Sequence, residues 1–120
     1  MKDGYYTLIQ YCPEPRRMEH VNIGVILLCP ELEFFDGMVV GHNSRIKQFF
    51  GDSHDWEQID SLKLRIQEKI WSLKPRIKKL VDLKDITCQW PNQIQFSWVQ
   101  TTPVWNPERN LNQLFLEIVL

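Results

Sequence analysis

The chain has 120 residues, 43% of them hydrophobic, and 14 Lys plus Arg against 15 Asp plus Glu give a formal charge of -1. That is the length of one domain, too rich in core-forming side chains for a disordered segment, and its near-neutral balance supplies no global field towards nucleic acid or anionic lipid. The longest apolar stretch, Val25 to Cys29, falls far short of the ~20 residues of a membrane span, and MKDGYY lacks a signal peptide's apolar region, so the expected setting is cytoplasmic with no membrane partner.

The first predicted strand runs from Tyr5 to Tyr11 (YYTLIQY), dense in aromatic and β-branched residues. It is closed by Cys12-Pro13-Glu14-Pro15, which cannot continue a ladder. The second, Val21 to Cys29 (VNIGVILLC), has one wholly apolar face, Val21, Ile23, Val25 and Leu27, and one that turns from polar to apolar halfway. The third, Phe34 to Gly41, follows a short Pro30-Glu31-Leu32-Glu33 connection that suits an antiparallel hairpin. Gly24, in mid-strand, marks a bulge or a close approach, for which a packed Trp56 or Trp71 would suffice.

His42-Asn43-Ser44 then offers capping side chains to a short helix, Arg45 to Phe50, stopped by Gly51. A longer helix follows, capped by Asp52 or Ser53. Its Trp56, Ile59, Leu62, Ile66, Ile70 and Leu73 make one apolar stripe, and Pro75 marks its end. After the basic stretch Lys74 to Lys79, Ile94 to Gln100 alternates as a half-exposed strand does. Asn106-Pro107-Glu108 opens a final helix with Leu111, Leu114, Phe115 and Ile118 on one face. The expected class is α+β in one domain, residues 1–120: a mostly antiparallel sheet, a three-stranded meander plus a later strand, packed on one face by helices, in the order βββ-α-α-β-α. Cys12, Cys29 and Cys88 are widely spaced and read as buried free thiols.

A hairpin turn centred near Glu31 and Leu32 sets Asn22 roughly opposite Gly41 and brings His20 towards His42 and Asn43. Pairing of the first two strands adds Tyr11. The polar residues at that end, Arg17, Glu19, His20, Asn22, His42, Asn43 and Arg45, form the candidate cluster. Each chemistry it suggests has a plainer rival. His20, His42 and Cys12 or Glu19 have ligand chemistry for zinc but no metal-site spacing, and the same side chains serve as strand-end caps, so no metal is expected. Glu19 beside His20 has the chemistry of a general base, or of one half of an arginine ion pair. Asn22 and Asn43 suit either a substrate or backbone groups at the sheet's rim. Lys74, Arg76, Lys78 and Lys79, near Trp71 and Trp90, have the look of a small phosphate-contacting patch or of a solvated surface. No P-loop, dinucleotide fingerprint, nucleophile elbow or H-E-x-x-H is present, so no catalytic residue and no cofactor is assigned.

Tyr5 to Pro13 (YYTLIQYCP), Arg17, Glu19, Val21 to Val25 (VNIGV), Asn43-x-Arg45-Ile46-x-x-Phe49-Phe50 and the closing Asn106-Pro107-Glu108 with Leu111 to Val119 resemble the bacterial domain-of-unknown-function 3037 family. The resemblance implies no established activity. It does imply a genomic neighbourhood, since members are commonly encoded beside a HipA-like kinase, the toxin class of certain toxin-antitoxin systems. Two functions follow as expectations. One is a small non-enzymatic binding protein, partner or regulator of such a kinase, with Trp98 and Trp105 as its contact surface. The other is an enzyme or binder acting on a nucleotide or other phosphate-bearing ligand, with Glu19 as acid/base and Arg17 and Arg45 clamping anionic oxygens.

Overall fold

The computed structural model describes residues 1–86, 90 and 93–120. The chain opens with β1 (Lys2–Tyr11), β2 (Val21–Cys29) and β3 (Phe34–Val39), followed by α1 (Ser44–Phe50), α2 (Trp56–Leu73) and α3 (Leu80–Ile86). β4 (Ile94–Phe96), β5 (Gln100–Val104) and α4 (Pro107–Leu114) complete it, and a π-helical turn over Phe115–Val119 continues α4. The class is α+β, as expected.

All strand pairs are antiparallel, and the sheet runs β3-β2-β1-β4, with β5 also on β1. β1 is long enough to serve both: Ile9 to Tyr11 pair with β4, and Lys2 to Tyr6 pair with β5. The hairpin register sets Gly24 opposite Val39 and Cys29 opposite Phe34, which places the turn where the short Pro30–Leu32 connection requires it. Glu33 closes that turn in the left-handed region, at φ 52°.

β2 is the centre of the core. Val25, Ile26, Leu27 and Leu28 are each at most 1% exposed. Successive side chains of a strand point to opposite faces, so β2 is covered on both. Each such aliphatic side chain contributes roughly 1.5–3 kcal/mol by leaving water. α2 lies against β3, where Gly37 leaves little room for a side chain: a Cβ there would stand 3.0 Å from Ile70 Cδ1 and from the Val25 carbonyl. α4 and the π-helical turn contact β2 and bury Leu111, Phe115 and Val119.

Several details differ from the sequence reading. The predicted strand over Ile94 to Gln100 is two short strands, because Ser97 to Val99 leave the ladder and the chain rejoins β1 further along. A short helix, α3, follows the basic stretch. Asp55, not Asp52 or Ser53, caps α2, its carboxylate accepting from the Gln58 N–H at 3.1 Å. Gly24 does sit beside a bulge, at Ile9 and Gln10, and its nearest neighbours are not tryptophans. A Cβ would meet the Met38 carbonyl at 2.7 Å and Ile9 Cδ1 at 3.0 Å, while Trp71 stands 57% exposed. Gly51 ends α1 at φ 82°, as expected. Cys12 and Cys29 are buried free thiols, and Cys88 lies outside the described residues. Among the described residues no helix is long and apolar enough to cross a membrane.

Candidate functional site

The polar residues singled out at the rim turn to separate partners. Arg17 and Glu19 meet each other, Nε and Nη2 lying 2.9 and 2.8 Å from Glu19 Oε1, in an exposed pair. His20 Nδ1 lies 3.3 Å from the Met18 carbonyl. Asn22 joins a side-chain ladder across three strands: Gln95 donates to Gln10 Oε1 at 2.9 Å, and Gln10 donates to Asn22 Oδ1 at 3.1 Å. The bulge at Ile9 and Gln10 makes that alignment, since it sets Gln10 opposite Asn22. Arg45 reaches the far end of the chain, where Nη1 donates to the Val119 carbonyl at 2.6 Å and the Ile118 carbonyl at 3.3 Å. A cation on the last carbonyls of a helical end satisfies acceptors that have no other partner, so this arginine is a cap.

His42 and Asn43 do come together, but with two residues of α2 that the sequence reading passed over. Asn43 donates to Asp60 Oδ1 at 2.9 Å, while Lys63 Nζ lies 3.6 Å from the same oxygen and donates to the His42 carbonyl at 3.3 Å. Lys63 is 7% exposed, and loss of hydration holds its amine below the ordinary lysine range, with the Asp60 carboxylate opposing that shift. The node binds the loop after β3 to α2. A signal for it was present, because Lys63 falls four residues after Ile59 and three before Ile66, on the apolar stripe itself. Among the described residues no three His, Cys, Asp or Glu side chains gather as a metal would require, so the zinc triad weighed from the sequence is not assembled there.

Arg17 and Glu19 also line a groove of about 170 Å³ with Pro13, Glu14, Phe50 and His54. Its inner wall is aromatic: Tyr11 meets Phe50 and His54 edge-on, each at 6.2 Å between ring centroids, and Trp56 lies 5.5 Å beyond His54. Arg17 and Glu19 on the groove's rim are already paired with each other, and Glu14 adds a carboxylate beside them, so the groove offers no free arginine to clamp an anion.

The margin formed by β4 and β5 is different in kind. Trp98 is 91% exposed and Trp105 is 68% exposed, one before β5 and one after it. Their backbones are nonetheless held. Beside Trp98, Ser97 is tied to β1 three times: its N–H donates to the Leu8 carbonyl at 3.0 Å, its Oγ accepts from the Leu8 N–H at 2.8 Å, and its carbonyl accepts from Thr7 Oγ1 at 2.7 Å. At the other end Asn110 Oδ1 accepts from the N–H groups of Trp105 and Asn106 at 3.1 and 3.2 Å, and Asn106 caps α4 through the Arg109 N–H. Two large indoles in water on an anchored backbone are a ready contact surface, because little order is lost when they are covered.

Comparison with curated proteins returns no match, and none is found among solved structures. The family described as "Protein of unknown function (DUF3037)" matches residues 6–119, from β1 to the π-helical turn. The match takes in the meander, the rim, the tryptophan margin and the closing helix alike, and the chain belongs to the DUF3037 family.

Proposed function

We propose that this protein is a non-enzymatic binding module whose contact surface is the margin of β4 and β5, with Trp98 and Trp105 as the anchors. The observation that carries this reading is the pairing of strong exposure, 91% and 68%, with backbone on either side tied down by Ser97 and Asn110. Exposed tryptophans in a small domain have a cost in solubility, and central tryptophans dominate binding energy at interfaces. Among the described residues β5 pairs with β1 alone, so its outer edge is open. Pro103 supplies no N–H to that edge, which weakens it as a template for an added strand and leaves recognition to the side chains.

The partner is proposed to be the HipA-like kinase that the family's usual gene neighbourhood implies, acted on in a toxin-antitoxin-like module in the cytoplasm. The alternative, an enzyme or binder acting on a nucleotide or other phosphate-bearing ligand through Glu19, Arg17 and Arg45, asks more of the molecule. Arg45 would have to release two carbonyls and Arg17 its carboxylate before either could clamp a phosphate. Co-expression with the neighbouring kinase followed by size exclusion tests the proposal. The two proteins should elute together, and the Trp98→Ala, Trp105→Ala double variant should elute apart from the kinase with an unchanged melting temperature. Separate elution of the two folded wild-type proteins overturns it.

A further inference from the structure

The basic stretch after α2, which the margin does not use, forms one wall of a cleft of about 440 Å³, within the range of sites that enclose small molecules. We infer that this cleft binds a small organic anion with an apolar body, its charged head at Lys74 and Lys78. The apolar part of the lining is Leu28, Phe34 and Ile77, of which Leu28 and Ile77 are 1% and 8% exposed and therefore set in the core rather than free to move. Pro30 and Pro75 form part of the rim, and the fixed φ of proline keeps such walls in shape before a ligand arrives.

The Lys74 ammonium and the Lys78 backbone are held from outside the cleft. Asp36 holds Lys74 at 3.1 Å, and its carboxylate is not among the lining groups. Asp82 accepts from the backbone N–H groups of Lys78 and Lys79 at 3.1 and 3.0 Å and so fixes the turn that carries Lys78. Among the described residues the Lys78 ammonium has no ion-pair partner, so it is available to an anion. Among the described residues of the lining two lysines stand with the single carboxylate of Glu33, and Asp36, outside the lining, faces Lys74. A bare inorganic anion would leave the apolar lining wet, and a cationic amphiphile would meet both lysines. Only a ligand with an apolar body and a negative head satisfies both parts of the lining. This site is independent of the tryptophan margin.

Titration calorimetry with octanoate, octyl phosphate, octylamine and inorganic phosphate tests the inference, with amide chemical shifts locating the contact. Octanoate or octyl phosphate should bind saturably at one site, with shifts centred on residues 28–34 and 74–78, and comparison of the two distinguishes a carboxylate head from a phosphate head. Lys78→Glu should weaken that binding at least about tenfold, in keeping with loss of one charge-assisted contact, and Lys78→Gln by less. Lys2→Glu, whose ammonium pairs with Glu31 away from the lining, should leave it unchanged. No saturable binding of either anion, octylamine binding as tightly, shifts centred elsewhere, or a Lys78→Glu variant that binds like the wild type would each overturn it.

Discussion

The meander and the β4-β5 margin belong to one sheet and share the strand β1, yet they treat their large apolar side chains in opposite ways. In the meander, backbone and side chain are both fixed: four successive residues of β2 are out of water, and even its polar residues, Gln10 and Asn22, are satisfied across strands. In the margin only the backbone is fixed. Ser97 and Asn110 hold it by hydrogen bonds, and the indoles between them stay in solvent. Burial therefore identifies what the fold needs, whereas exposure on a held backbone is the feature on which the proposed contact surface rests.

Substitutions that break this contrast fall in a definite order. Ile26→Ala, at a fully buried site, should cost about 2–5 kcal/mol of stability, seen as a lower urea midpoint. Trp98→Ala should leave that midpoint within about 0.5 kcal/mol of the wild type but cost about 2 kcal/mol or more in binding to the proposed kinase partner, read by calorimetry. A large loss of stability in Trp98→Ala would remove the contrast altogether. Ser97→Ala tests the tie itself: the Leu8 N–H loses its acceptor, at about 1–3 kcal/mol in stability, and Trp98 loses its fixed base. At the small end, Glu19→Gln should change stability by less than about 1 kcal/mol, since the pair with Arg17 is exposed on both sides.

Alkaline pH sharpens the same contrast, because two groups that titrate there are set in the folded interior. Burial lifts the Tyr11 phenol above its ordinary 10.0, so the native state holds more protons than the unfolded one in that range and stability falls as pH rises. Lys63 works the other way. Its amine is held below 10.5, so between the lowered value and 10.5 the unfolded chain holds more protons and stability rises with pH. Urea midpoints measured through that range should therefore slope more steeply upward in Tyr11→Phe and more steeply downward in Lys63→Met. Parallel curves for the wild type and both variants would show that neither group is set apart from solvent.

The meander was legible in the sequence because local features determine it: runs of Val, Ile and Leu bounded by prolines, and a connection too short to permit any other register. The family likeness was legible from the same stretch. The candidate site was legible only in part. Trp98 and Trp105 stand exposed where they were expected, but the rim dispersed, because Arg45 finds its acceptors 73 and 74 residues away and Asn22 finds Gln10 only through a bulge. Such partners leave no mark on local pattern. Lys63 was hidden for a related reason: a lysine on an apolar helix face reads as a side chain that reaches back to water, and here the His42 carbonyl takes the place of water. β5 was missed past Gln100 because Pro103 argues against a strand in general, though not against one at an open edge.

Hydrogen exchange with and without the proposed kinase partner tests the role proposed for the margin most directly. Slowed exchange confined to residues 97–105 and the start of α4, with β2 and β3 unchanged, is the predicted result. Unchanged exchange across those residues while protection appears elsewhere on the surface would contradict it.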